Sequence, residues 1–165
     1  PGCPAGPCEP PWSPNPVYRK SVVYGKSVDN GVVLGLLTTQ RGLDLPALEL
    51  LISQAKRLGL QVTFHRAFDV VNSIEQGLEE VIECGFQTIL TSGRGKNVEE
   101  GIFDLELIQK LANDRIEIMP GGGLRSSNIK LLQEKLQPTF YHSSAITDQT
   151  ETANPEEIKE LKNFL

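Results

Sequence analysis

Apolar positions along this chain come in blocks, and the blocks change period from strand-like to helix-like and back. Gly31-Val32-Val33-Leu34-Gly35-Leu36-Leu37 is a continuous apolar run of strand length. Pro46 to Leu58 follows, with Leu48, Leu51, Ile52 and Ala55 at helical spacing. Pro46 suits a first helical turn, and Gly59 a C-terminal stop. The same alternation predicts a strand over Val62 to Phe68, a helix over Ile74 to Cys84 stopped at Gly85, and a strand over Phe86 to Thr91. Asn97 to Ala112 reads as a loop leading into a helix, and Arg115 to Met119 as a strand. A helix over Arg125 to Leu136, a strand over Thr139 to Ser143 and a helix over Pro155 to Leu165 complete the series. Asn154 is placed to cap the last helix, with Glu156 and Glu157 favourable to its dipole.

Five strands thus alternate with five helices at a spacing of about 25 to 30 residues, the length of a βα unit. Strands such as Val32 to Leu37 and Ile116 to Met119 show little polar alternation, as expected where both faces are covered. The prediction is a parallel α/β protein. Either an open doubly wound sheet or part of a (β/α)8 barrel satisfies the pattern.

Residues 1–28 stand apart. Their Pro/Gly-rich beginning, Pro1 to Pro11, suits neither a helix nor an interior strand, because proline fixes φ and removes a donor. The expectation is a disordered or extended arm over residues 1–28, with Tyr18 to Lys26 forming a short strand or turn, followed by one domain over residues 29–165.

Composition narrows the partners. A formal charge of -5 argues against non-specific nucleic-acid binding, which needs a basic face. No apolar run approaches the roughly 18 to 20 residues of a membrane span, and the first residues lack the apolar stretch of a signal peptide. Three cysteines, Cys3, Cys8 and Cys84, fit a reducing compartment better than a disulfide scaffold, so a cytoplasmic location is expected.

The chemistry concentrates at predicted strand ends. His65, Arg66 and Asp69 close the strand that begins at Val62. In a parallel α/β protein that end of a strand is where ligands bind. His65 there is a candidate proton donor, proton acceptor or metal ligand, and Arg66 an anion ligand. The alternative is an internal Arg66–Asp69 pair closing the loop. Gly121, Gly122 and Gly123 follow the next strand but one, where free backbone N–H groups can approach an anion closely. Thr91 and Ser92 at the intervening strand end, Ser143 and Ser144 at the last one, and Ser126 and Ser127 near a helix start add hydroxyl donors. A tight turn needing positive φ is the competing explanation of the glycines. His142 is either a second nitrogen ligand beside His65 or a satisfied core histidine. Cys3 and Cys8, in C-x4-C spacing, are free thiols or a two-thiolate site for a soft ion; Cys84 is a packing residue.

Four of these segments taken together are more specific. Thr63-Phe64-His65-Arg66-Ala67-Phe68-Asp69, Ile89-Leu90-Thr91-Ser92-Gly93, Ile118-Met119-Pro120-Gly121-Gly122-Gly123 and Tyr141-His142-Ser143-Ser144-Ala145 resemble the CutC family of copper-homeostasis proteins. Asn30 to Leu37 resembles the strand before the His-Arg strand in that family, so the resemblance covers residues 30–165. It implies a partial TIM (β/α)8-type barrel of about five parallel βα units, a cytoplasmic location, and a role in copper homeostasis with Cu(I) as the bound ion. The family's suggested copper ligands are cysteines on three earlier βα units that have no counterpart here. A barrel lacking those units has two open edges, Gly31 to Leu37 and Thr139 to Ser143, and association of copies through them is expected. The same scaffold admits two rival functions: an enzyme for a small phosphorylated or carboxylated substrate, or a truncated variant without independent activity.

Overall fold

Four of the predicted strands lie side by side in one parallel sheet, in the order β2 (Gly31–Leu34), β3 (Gln61–Phe64), β4 (Thr88–Thr91), β5 (Glu117–Pro120). The structure is a computed structural model, and it describes residues 22–24, for which only the backbone is considered, and 31–164. Between and after the strands run α1 (Leu45–Arg57), α2 (Ile74–Cys84), α3 (Ile102–Ala112), α4 (Ile129–Lys135) and α5 (Pro155–Lys162). Sequential parallel pairing with helical crossovers is the arrangement of a barrel segment.

Local chemistry sets most boundaries. The Asp44 side chain accepts from the Ala47 N–H at 3.4 Å to start α1, and Ser73 accepts from Gln76 N–H at 3.2 Å to start α2. Gly85, at φ 88°, ends α2 in the left-handed conformation that glycine adopts without strain. Asn154 accepts from Glu156 N–H at 2.9 Å at the head of α5. Helix α4 is shorter than predicted, because Asn128 Oδ1 accepts from Arg125 N–H at 2.8 Å and holds the preceding residues in a turn.

Strand register defines two faces. Leu34, Phe64, Ile89 and Ile118 form one cross-strand row, and it packs beneath the helices. Phe64 is fully buried there, edge-on to Phe86 with ring centroids 5.1 Å apart. The next row on the opposite face is Val33, Thr63, Thr88 and Glu117. Val33, at the β2 edge of this second face, is 53% exposed, whereas Leu90 and Met119 further along the same face are buried.

The fifth predicted strand departs from expectation. β6 (Tyr141–Ser143) meets β5 through a single parallel bridge, Gly121 to His142, and does not extend the ladder. Gly121 N–H donates to Thr91 O on the β4 side, so Pro120, one residue earlier, would present its amide toward β6. Proline has none to give. β6 instead pairs antiparallel with β1 (Val22–Tyr24), which falls within the Tyr18 to Lys26 segment expected to form a strand or turn. The rest of the predicted arm, including Cys3 and Cys8, lies outside the described residues. Among the described residues the outer edge of β2 has no partner strand.

Candidate active site at the strand ends

Strand β3 stops at Phe64, earlier than its apolar pattern suggests, because the His65 side chain caps a turn there. His65 Nδ1 accepts the Ala67 N–H at 3.0 Å, and Arg66–Val70 forms a 3-10 turn. That turn sets Arg66 and Asp69 three residues apart on one face.

Asp69 organises the site. Its carboxylate accepts from Arg66 Nε at 2.7 Å, Ser92 N–H at 3.0 Å, Ser92 Oγ at 2.9 Å and the Thr91 hydroxyl. The carboxylate is nearly buried, with donors on both oxygens, so it is a structural anchor with no lone pair turned to a ligand. Ser92 Oγ also accepts from Arg66 Nη2 at 2.8 Å. The guanidinium is therefore fixed along two of its edges, while its side chain stays 42% exposed. The third nitrogen, Nη1, lies over Gly122, where an added Cβ would stand 2.7 Å from it.

Three glycines make room for neighbouring side chains at the strand ends. Gly35 lies under the His65 imidazole and Gly122 under Arg66, where a Cβ would stand 2.5 Å and 2.7 Å from those side chains; at Gly121 a Cβ would meet Leu90 at 2.5 Å and the His142 Cβ at 2.9 Å. Gly122 and Gly123 have φ values of 113° and 70°, so both the turn and the close approach require glycine. Gly122 O accepts from Val98 N–H and Gly123 O from Asn128 Nδ2, which fixes the loop. Among the described residues neither glycine's own N–H finds an acceptor, leaving two backbone donors in this loop, that of Gly122 next to Arg66.

Both imidazoles are shifted toward the neutral form. Burial lowers the pKa of His65. Burial lowers that of His142 as well, and the positive Arg66 lowers it further. The strand ends thus carry one fixed cation, two neutral imidazoles and free backbone donors. The cation and the backbone donors attract an oxyanion.

The remaining candidates divide. Thr91 and Ser92 are fully buried and serve Asp69 and the loop after β4 rather than open space. The Ser143 hydroxyl donates to Leu124 O at 2.7 Å and accepts from Ala145 N–H at 3.0 Å, so it is spent internally. Ser144 is half-buried and accepts only a long 3.4 Å bond from Ile146 N–H. Ser126 faces the Glu157 and Glu160 carboxylates, surroundings that repel an anion. Sequence reasoning missed Gly35, whose signal was a glycine inside an apolar run. It also missed Arg125, which ties Leu124 O and Ile146 O together behind β6.

The sequence pattern of the CutC family matches residues 21–147. The chain belongs to the CutC family. A family protein CutC of Vibrio atlanticus is 44% identical over 115 residues, covering 70% of this chain and 47% of that protein. Its counterpart in Bacteroides fragilis is 40% identical over 116 residues, covering 70% and 45%. The crystal structure of a CutC from Streptococcus agalactiae, described as a putative copper homeostasis protein, superposes with a TM-score of 0.59 at 31% identity, covering 65% of this chain and 52% of that one. The chain spans about half the length of the curated relatives it matches.

Membership in the CutC family makes copper the ion to test against these residues, and the described donors do not fit it. No group of three or more His, Cys, Asp or Glu side chains among the described residues could hold a metal ion. Cys84, the one described cysteine, sits at the far end of α2, and burial, reinforced by Glu49, Glu80 and Glu83, raises its pKa away from the thiolate that Cu(I) prefers. His65 follows β3 and His142 lies on β6, with the ends of β4 and β5 between them. His142 also has a guanidinium beside it, which opposes a cation.

Proposed function

We propose that this CutC-family chain serves intracellular copper homeostasis, the role its kinship implies, and that its strand-end site binds a small phosphorylated or carboxylated compound. The observation that carries the second statement is the Arg66 guanidinium, pinned by Asp69 and Ser92, with Nη1 seated over the Gly122 backbone. Fixed cations of this kind recognise carboxylate or phosphate oxygens, and Gly122 and Gly123 add N–H groups at the same place. His142 contributes a neutral imidazole in contact with the bound group, able to accept a hydrogen bond or a proton from it. Thr91, Ser92 and Asp69 hold Arg66 in position, and Ser144 is the remaining hydroxyl near the last strand end. Copper, on this reading, is met elsewhere: Cys3 and Cys8 are the thiols with the right softness, and copies of the chain associate through the β2 edge that is unpaired among the described residues.

Calorimetric titration of the full chain with inorganic phosphate, with and without Arg66→Gln, tests the anion site. Binding that is lost in the variant is the expected result; equal binding in both removes the assignment. A Cu(I) competition titration tests the other half. Cu(I) uptake is expected to vanish in Cys3→Ser/Cys8→Ser and to survive His142→Gln, and the reverse order would return the ion to the strand ends.

A further inference from the structure

His65 is held in one tautomer by the backbone. Nδ1 accepts the Ala67 N–H at 3.0 Å, so its lone pair is in use and the ring proton of the neutral imidazole must reside on Nε2. Shifting that proton to Nδ1 would set two N–H donors against each other and release the 3-10 turn that carries Arg66 and Asp69. A metal ion at Nε2 requires that same shift, and so does proton abstraction by Nε2. The ring cannot swing away without loss either, because it is stacked against Gly35, where a Cβ would come within 2.5 Å of Cε1 and Nδ1.

We infer that His65 binds as a fixed Nε2–H hydrogen-bond donor to a carbonyl or hydroxyl oxygen of the compound whose anionic group is held by Arg66 and the Gly122–Gly123 amides. The inference rests on the anion site proposed above and names the class of its ligand: a phosphorylated compound with oxygen substituents along its chain, of the size of a pentose phosphate. Size is set by placement. The His65 ring lies at the β2–β3 end and Arg66 Nη1 at the β5 end, two strand spacings or about 10 Å apart along the sheet, which inorganic phosphate cannot span. Burial favours the neutral ring that this role requires.

The chain has two histidines, so nitrogen NMR of the 15N-histidine-labelled full chain resolves the question directly. At neutral pH the His65 signals are expected to show an unprotonated Nδ1 and a protonated Nε2, and ribose 5-phosphate is expected to shift Nε2. His65→Asn keeps an N-cap acceptor for Ala67 and removes the Nε2–H donor. It should weaken ribose 5-phosphate binding by about tenfold while leaving inorganic phosphate within about twofold. A protonated Nδ1 overturns the inference whatever binds. Phosphate binding by the wild type, with ribose 5-phosphate affinity unchanged in His65→Asn, overturns it and leaves the anion site standing. Absence of binding by either probe removes the anion site, and the inference with it.

Discussion

Arg66 and Gly122 fit together as cation and cradle: the guanidinium Nη1 and Cζ lie 2.7 Å and 2.8 Å from where a Cβ on residue 122 would be. Nothing in the arginine can retreat cheaply, since Nε and Nη2 are committed to Asp69 and Ser92. Gly122→Ala is therefore expected to unseat the guanidinium and to strain a backbone at φ 113°. The cost to stability is about 1–3 kcal/mol. Thermal unfolding measures the strain, and loss of phosphate binding measures the displacement; retention of full binding would contradict the seating.

Asp69→Asn tests the anchor. The amide keeps the shape but cannot accept from Arg66, Thr91 and both Ser92 donors as the carboxylate does. Urea denaturation should report a loss of about 1–3 kcal/mol, the cost of leaving buried donors unmatched. Phosphate affinity should fall as well, although residue 69 touches no ligand. If affinity is unchanged while stability drops, Arg66 does not depend on Asp69 for its position.

Stability should depend on pH through the two histidines. Both have folded pKa values below the ordinary 6.5, His65 through burial and His142 through burial and Arg66. Below about pH 6.5 the unfolded chain therefore takes up more protons than the folded one. The contribution is fully present above that pH and is lost as pH falls through the lowered folded values. Urea midpoints measured from about pH 8 to about pH 5 should be level at first and then decline. In His65→Asn/His142→Asn the histidine part of that decline should disappear, and an unchanged profile would show that other groups produce it.

Association of copies has its own readout. Val33 and Leu36 are 53% and 39% exposed on and just after β2, the strand whose outer edge is unpaired among the described residues. An apolar open edge of this kind is a template for pairing. Light scattering of the full chain is expected to show an oligomer that Val33→Lys shifts toward monomer. A wild-type monomer at micromolar concentration would rule the edge out as an interface.

Much of this structure was legible where one local rule decided the outcome. Helix α2 runs from Ile74 to Cys84 as predicted, because Ser73 and Gly85 mark its ends chemically. Helix α1 and the four ladder strands were found for similar reasons, within a few residues at their ends. The failures lie where side chains make non-local or backbone-directed bonds. Val62 to Phe68 looks like one strand, yet the His65 side chain turns the backbone after Phe64. Thr139 to Ser143 has the composition of a barrel strand, but its ladder depends on an amide that Pro120, twenty-odd residues earlier, does not have. At the site, His65, Arg66 and Asp69 announced themselves by being ionisable at a strand end. What the letters did not reveal was the division of labour, with Asp69 and Ser92 supporting and Arg66 presenting. That depends on which lone pairs are already spent.

The three glycine cradles carry a consequence for variation in this chain. Gly35, Gly121 and Gly122 define the strand-end site by volume left empty, filled by the His65 ring, by Leu90 with the base of His142, and by the Arg66 guanidinium respectively. Exchange of glycine for alanine ranks among the mildest changes by size and polarity. At Gly35 and Gly122 a single methyl group displaces an ionisable side chain from another strand or turn, so the smallest substitution acts as a remote knockout of His65 or Arg66.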